Sequence, residues 1–213
     1  MTPTLATACA ALPPEGAVSP RGGPAAKLGA PEPALSFPPE LLLQAQGIRV
    51  AFFDVDGVLT DGGLYFSDRG ETLKRFNTLD GHGLKLLQKA GITPAVITGR
   101  DSKPLRSRLQ ALGITQVHYG TEDKRPAAET TLRALGLDWH QAAAIGDDWP
   151  DLAVMCRCAF TCAPANAHIE VRAAAQYVTQ ARGGEGAARE FCDLLLVASG
   201  QYATLLAGME QNR

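Results

Sequence analysis

Along most of this chain the hydrophobic period switches back and forth between that of a strand and that of a helix. Ile48–Phe53 (IRVAFF), Pro94–Thr98 (PAVIT), Gln116–Tyr119 and Ala142–Gly146 are short apolar runs. Between them, Gly81–Ala90, Lys103–Leu112 and Arg125–Leu135 carry leucines at helical spacing and stop at Gly91, Gly113 and Gly136. A strand that is apolar on both faces must be covered on both, and helical crossovers between parallel strands provide that cover. Ala159–Cys162 and Gln176–Thr179 read as further short strands, and Gly186–Ala198 as a closing helix. The pattern predicts an α/β fold, a doubly wound parallel sheet with right-handed crossovers. One segment breaks the alternation. Between Gly62 and Asn77, two β-prone runs flank Ser67-Asp68-Arg69-Gly70, which predicts a hairpin directly after the first strand.

The alternation begins at Leu41, and composition explains why it does not begin sooner. Nine of the 14 prolines fall in the first 39 residues, among alanines and glycines without a hydrophobic period. Such a stretch cannot offset its ordering entropy by burial. Residues 1–40 therefore read as a disordered leader, 41–200 as the folded domain and 201–213 as a C-terminal tail. The leader has no basic start followed by an apolar stretch, so it does not read as a secretory signal. With 20 Lys+Arg against 22 Asp+Glu, no basic excess exists to grip a nucleic-acid backbone. No apolar run approaches the roughly 20 residues of a membrane span, so no membrane partner is expected. Five cysteines without a framework spacing fit free thiols in a reducing, cytoplasmic setting. Cys156, Cys158 and Cys162 lack a fourth soft ligand at zinc spacing and read as buried apolar residues, as Trp139 and Trp149 read as packing residues.

In a doubly wound sheet, ligands bind beyond the carboxyl ends of the strands. The residues ending each strand can therefore be taken together: Asp54 and Asp56 after the first, Thr98-Gly99-Arg100 after the second, Lys124 after the third, and Gly146-Asp147-Asp148 after the fourth. Acids crowded together repel unless a cation joins them, and Mg²⁺ favours a few carboxylates plus water and phosphate oxygens. One aspartate could attack phosphorus while a second, two residues on, exchanges protons with leaving group and water. Thr98 and nearby amides would hold phosphoryl oxygens, and Lys124 would neutralise developing charge. Asp148 and Asp151 would orient loops around the metal.

Those four motifs, Asp54–Thr60 (DVDGVLT), Thr98, Lys124 and Gly146-Asp147-Asp148 with Asp151, resemble those of the haloacid dehalogenase superfamily. The runs DVDGVLTDGGLYF, LKRFNTLDGHGLKLL, VITGR, GDDWPDLAVM and YVTQARGGEGAAREFCDLLL are similar to its phosphatases of an eight-carbon sugar-acid 8-phosphate. The resemblance implies a domain without a cap, a phosphorylated sugar-acid substrate, a role in lipopolysaccharide synthesis, and a homotetramer in which a neighbouring subunit covers each site. By position it implies Asp54 as nucleophile and metal ligand, Asp56 as acid/base and carbonyl ligand, Asp147 as second carboxylate ligand, and Thr98 and Lys124 as catalytic. Substrate contacts map onto Asp56, Asn77, Thr78, Leu79, Asp80, Gly81, Lys85, Arg100, Arg108 and Lys124. The segment around Gly183, Gly184 and Gly186 maps onto one that closes over the neighbouring site. Leu79 and Lys85 depart from the pattern, standing where relatives carry arginine forks suited to a carboxylate. A nine-carbon sugar-acid phosphate is thus an alternative substrate. A silent scaffold is the non-enzymatic alternative, disfavoured because every acid is retained.

Overall fold

The computed structural model describes residues 32–209. The expected leader lies outside them up to residue 31, and the last four residues of the expected tail do too. The folded part begins earlier than the expected boundary at residue 41. Phe37 packs edge-on against Tyr177 at 5.9 Å, and Pro39–Gln44 form helix α1. The chain then runs β1 (Val50–Phe53), a hairpin of β2 (Tyr65–Ser67) and β3 (Gly70–Leu73), α2 (Thr78–Lys89), β4 (Thr93–Ile97), α3 (Lys103–Leu112), β5 (Gln116–His118) and α4 (Lys124–Leu135). It continues through β6 (Ala142–Ile145), α5 (Trp149–Met155), β7 (Phe160–Ala163), α6 (Ile169–Ala174), β8 (Tyr177–Val178), α7 (Ala187–Ala198) and α8 (Tyr202–Gly208). The expected tail thus contains a helix, with Tyr202 and Leu205 packed against the core.

Six strands form one sheet in the order β5-β4-β1-β6-β7-β8, and all neighbours are parallel. Strand β1 lies inside, with Val50 opposite both Thr93 and Ala142. Successive side chains of a strand point to opposite faces, and β1 shows the consequence. Ala51 and Phe53 join the core under α2, α3 and α7, whereas Val50 and Phe52 join the core under α4, α5 and α6. Phe191 of α7 meets Phe53 edge-on at 5.5 Å and stacks on Phe160 at 6.5 Å. Fully burying a leucine or phenylalanine contributes roughly 1.5–3 kcal/mol, so this double apolar layer holds the strand ends in register.

Local chemistry sets the helix ends. The Asn77 side chain accepts from the Leu79 amide at 2.8 Å and caps α2. Gly113 and Gly136 end α3 and α4 with φ of +71° and +65°, a left-handed geometry that favours glycine. Helix α5 is too short for its period to show in the sequence, and α6 is shorter still.

Two expectations need correction. Trp139 packs beside Phe52, but Trp149 is 62% exposed and donates its indole N–H to His168 Nδ1 at 3.0 Å. Cys156 is exposed, because α5 ends there and its side chain falls outside the apolar layer. The hairpin forms as expected but leaves Leu64, Tyr65, Phe66 and Leu73 in solvent. Among the described residues no single helix is long and apolar enough to cross a membrane; the bent pair α7–α8 passes only by composition, and α7 is a core helix.

Candidate active site

The topology brings the ends of β1, β4 and β6 together, because β1 is flanked directly by the other two. Asp54 follows β1, Thr98 follows β4, Asp147 follows β6, and Lys124 opens α4. Asp54, Asp56, Thr98, Gly99, Arg100, Glu122, Lys124, Asp147, Asp148, Pro150 and Asp151 line one cleft of about 360 Å³. Carboxylate oxygens of Asp54, Asp147 and Asp151 lie within 4.8 Å of one another. Lys124 is buried among them, donating to Asp54 Oδ1 and, at 2.6 Å, to Asp151 Oδ1.

Asp151 is already committed. Its Oδ2 accepts from the Asp147 and Asp148 amides at 3.0 and 3.2 Å, which ties the β6–α5 turn together. With Lys124 on the other oxygen, Asp151 has little left to offer a ligand. The Asp148 side chain accepts from the Trp149 amide and caps α5. Both acids therefore hold the loop, and Asp54 and Asp147 remain as carboxylates with free capacity. Gly146 is required here, since a Cβ would strike Asp151. Gly57, at φ +106°, is required because a Cβ would strike the Asp147 carboxylate.

The electrostatics show a site short of positive charge. Burial, then Asp54 and Asp151, push the Asp147 carboxyl up to about 8. Burial and Asp151 also hold Asp54 well above the usual carboxylate value, although Lys124 pulls the other way. Burial works to lower the Lys124 ammonium, but Asp54 and Asp151 outweigh it and raise it. One lysine faces three carboxylates. A hard dication with oxygen ligands fits this set of carboxylates.

The expected substrate residues separate into three places. Asp56, Arg100 and Lys124 line the cleft. Asn77, Asp80, Gly81 and Arg108 line a different, small cavity with Leu59 and Phe76. There Arg108 Nη2 donates to the Asn77 carbonyl at 3.2 Å and fills the space left by the missing Cβ of Gly81. Asp80 Oδ1 accepts from the Arg189 amide at 2.8 Å at the start of α7, and its Oδ2 is buried without a hydrogen-bond partner. Thr78, Leu79 and Lys85 lie exposed on α2 and reach neither cavity. The glycine segment makes close contacts within its own chain. The Gly183 amide donates to Asn166 Oδ1 at 2.8 Å and the Gly184 amide to the Val58 carbonyl at 3.0 Å. Gly183 lies so close to the Gly57 carbonyl that a Cβ would collide with it. The segment is packed against its own chain's loop after β1, since only glycine allows that approach.

Sequence reasoning missed Lys74, which follows β3 and donates to Asp56 Oδ1. No spacing signals it, because only the fold of the hairpin turns it inward.

A family model for haloacid dehalogenase-like hydrolases matches residues 117–191. The chain is 43% identical to a Yersinia pestis 3-deoxy-D-manno-octulosonate 8-phosphate phosphatase, KdsC, over 75% of this chain and 85% of that protein. It belongs to that phosphatase family. The KdsC of Escherichia coli K12 is 41% identical over 76% of this chain and 86% of its own. The crystal structure of a Moraxella catarrhalis 3-deoxy-D-manno-octulosonate 8-phosphate phosphatase, in complex with magnesium, phosphate and KDO, superposes with a TM-score of 0.77. It is 36% identical, covering 80% of this chain and 98% of that one. The acid-lined cleft of this KdsC relative suits the same kind of cation, by donor type and by its deficit of positive charge.

Proposed function

We propose that this chain hydrolyses 3-deoxy-D-manno-octulosonate 8-phosphate to the free sugar acid and inorganic phosphate, with Asp54 as nucleophile. The observation that carries the reading is the convergence of Asp54, Asp147 and Lys124 in one cleft. A phosphate monoester is a dianion that such a site attracts only with added positive charge. Asp54 and Asp147, with the Asp56 carbonyl, would hold Mg²⁺, which when bound supplies neutralisation of the phosphoryl oxygens.

The rest is done by the chain's own groups. An Asp54 carboxylate oxygen attacks phosphorus, the bond from phosphorus to the sugar oxygen breaks, and Asp56 gives its proton to that departing oxygen. Water then attacks the phospho-aspartate, passing a proton back to Asp56. The aspartyl oxygen–phosphorus bond breaks, releasing phosphate and restoring Asp54. Lys124 holds the Asp54 carboxylate in place and offsets charge as it moves, while Thr98 closes the floor of the cleft. Arg100, half exposed at the rim, suits the substrate's anionic groups.

Every residue lining the cleft comes from a strand-end loop or a helix start, so among the described residues no domain caps it. The hairpin exposes a ribbon of Leu64, Tyr65, Phe66 and Leu73. These two features support a homotetramer in which a neighbouring subunit covers each site and presents residues such as Lys85 that its own cleft leaves out. The product would feed lipopolysaccharide synthesis in the cytoplasm, a setting that suits the four free thiols among the described residues.

Steady-state kinetics with Mg²⁺ tests the reading. The eight-carbon 8-phosphate should exceed a nine-carbon 9-phosphate by at least about tenfold in kcat/KM, and the protein should sediment as a tetramer. Preference for the longer sugar overturns the substrate, and a fully active monomer overturns the assembly.

A further inference from the structure

The hairpin that exposes its aromatic residues buries one lysine. Leu73 is 58% exposed, but the Lys74 side chain next to it is 1% exposed. Its ammonium donates to Asp56 Oδ1 and lies 2.9 Å from Glu71 Oε1. The Glu71 oxygen accepts no hydrogen bond, so it acts on the lysine as charge. On the other side of Asp56, Arg100 Nε lies 3.6 Å from Oδ2.

Burying an ammonium costs several kcal/mol unless it is paired, and an apolar side chain would fill the same space without that cost. Lys74 therefore has to be explained by what it pairs with, and both partners are carboxylates. Asp56 lies in the turn after β1 and is only partly covered, so its side chain is held by what pairs with it. Lys74 grips one of its oxygens from behind. Arg100, at the rim, is open to capture by a substrate anion; Lys74, sealed under the hairpin, is not.

We propose that Lys74 is a positioning residue, fixing the Asp56 side chain so that its proton is delivered to the leaving sugar oxygen. This rests on Asp56 serving as the acid/base above. Lys74 itself touches neither substrate nor phosphorus, and it transfers no proton. The hairpin, on this view, contributes to the chemistry of its own subunit in addition to any role between subunits.

A leaving-group comparison on the full chain with Mg²⁺ separates positioning from general damage. A sugar alkoxide needs a proton to depart, whereas p-nitrophenolate does not. Lys74→Met should lower kcat on the sugar-acid 8-phosphate by about 10- to 100-fold, with KM changed less than about threefold. Its kcat/KM on p-nitrophenyl phosphate, which leaves out the later water attack that Asp56 also serves, should fall less than about threefold. Lys74→Arg, which keeps a donor and a charge, should recover most of the sugar-phosphate rate. Equal losses on both substrates, no loss on either, or a rise in KM alone each overturns the inference. Should Lys74→Met fail to fold, Glu71→Gln decides. It should show a smaller loss with the same selectivity for the sugar phosphate, and an unselective effect overturns the inference. An active wild-type protein with unselective variants sinks this inference alone; a wild type inactive on both esters sinks the phosphatase reading with it.

Discussion

Asp54 and Asp80 are both buried, and the fold treats them in opposite ways. Burial raises both, Asp80 to about 6 and Asp54 well above its ordinary value. Around Asp80 the relief comes from backbone: the start of α7 turns amides toward it, and Arg108 and Arg189 add distant positive charge. Around Asp54 the neighbours are Asp147 and Asp151, with Lys124 as the cation among them. The helix N-terminus offsets the charge of Asp80 through one oxygen, Oδ1, and leaves Oδ2 buried and unpaired. A carboxylate crowded by other carboxylates still has a charge to match, and an arriving cation and phosphoester can match it.

Removing the nucleophile is the hardest test of that contrast. Asp54→Asn should lower phosphate release at least about 10³-fold while circular dichroism stays native; substantial remaining turnover would falsify the nucleophile assignment.

The second test reads stability against pH. Asp54 and Asp147 hold protons more tightly folded than unfolded, so their contribution is complete below about pH 4 and is lost as pH rises, for Asp147 through about 8. Asp80 adds to the same trend up to about 6. Chelated protein should therefore melt several degrees lower at pH 8 than at pH 5.5, and saturating Mg²⁺ should raise Tm more at pH 8. A metal effect equal at both values would break the link between cation binding and the crowded acids.

The smallest effect belongs to Asp80. Asp80→Ala removes the carboxylate at the start of α7 and should cost about 1–2 kcal/mol, or roughly 2–8 °C in Tm. The KM for the sugar phosphate should change less than about threefold, as expected of a group outside the cleft. A tenfold rise would restore Asp80 to the substrate side and erase the contrast.

Legibility in the sequence followed the length of the signal. Strands β1, β4 and β6 and helices α3, α4 and α7 are visible because apolar period and closing glycine persist for a full element. Helix α5 is not, since it spans seven residues and its start is written in the same Asp148 and Asp151 that read as chemistry. Asp54, Thr98, Lys124 and Asp147 were legible because parallel topology sends strand ends to one edge. Arg108 and Asp80 line a separate small cavity, because the packing of α2 against α3 and α7 turns them from the acidic cleft of their own chain.

The order of apolar runs, their period and the acids at their ends determine by themselves a parallel sheet with a charged rim, because period and topology are local or nearly so. Which acids cap a helix, which crowd one another, and which lysine is drawn under the hairpin depend on distances between residues far apart in the chain. Lys124 meets Asp54, and Lys74 meets Asp56, only once the sheet has closed. Charge interactions are set by those distances and by the water that packing removes, and neither is written in a linear spacing.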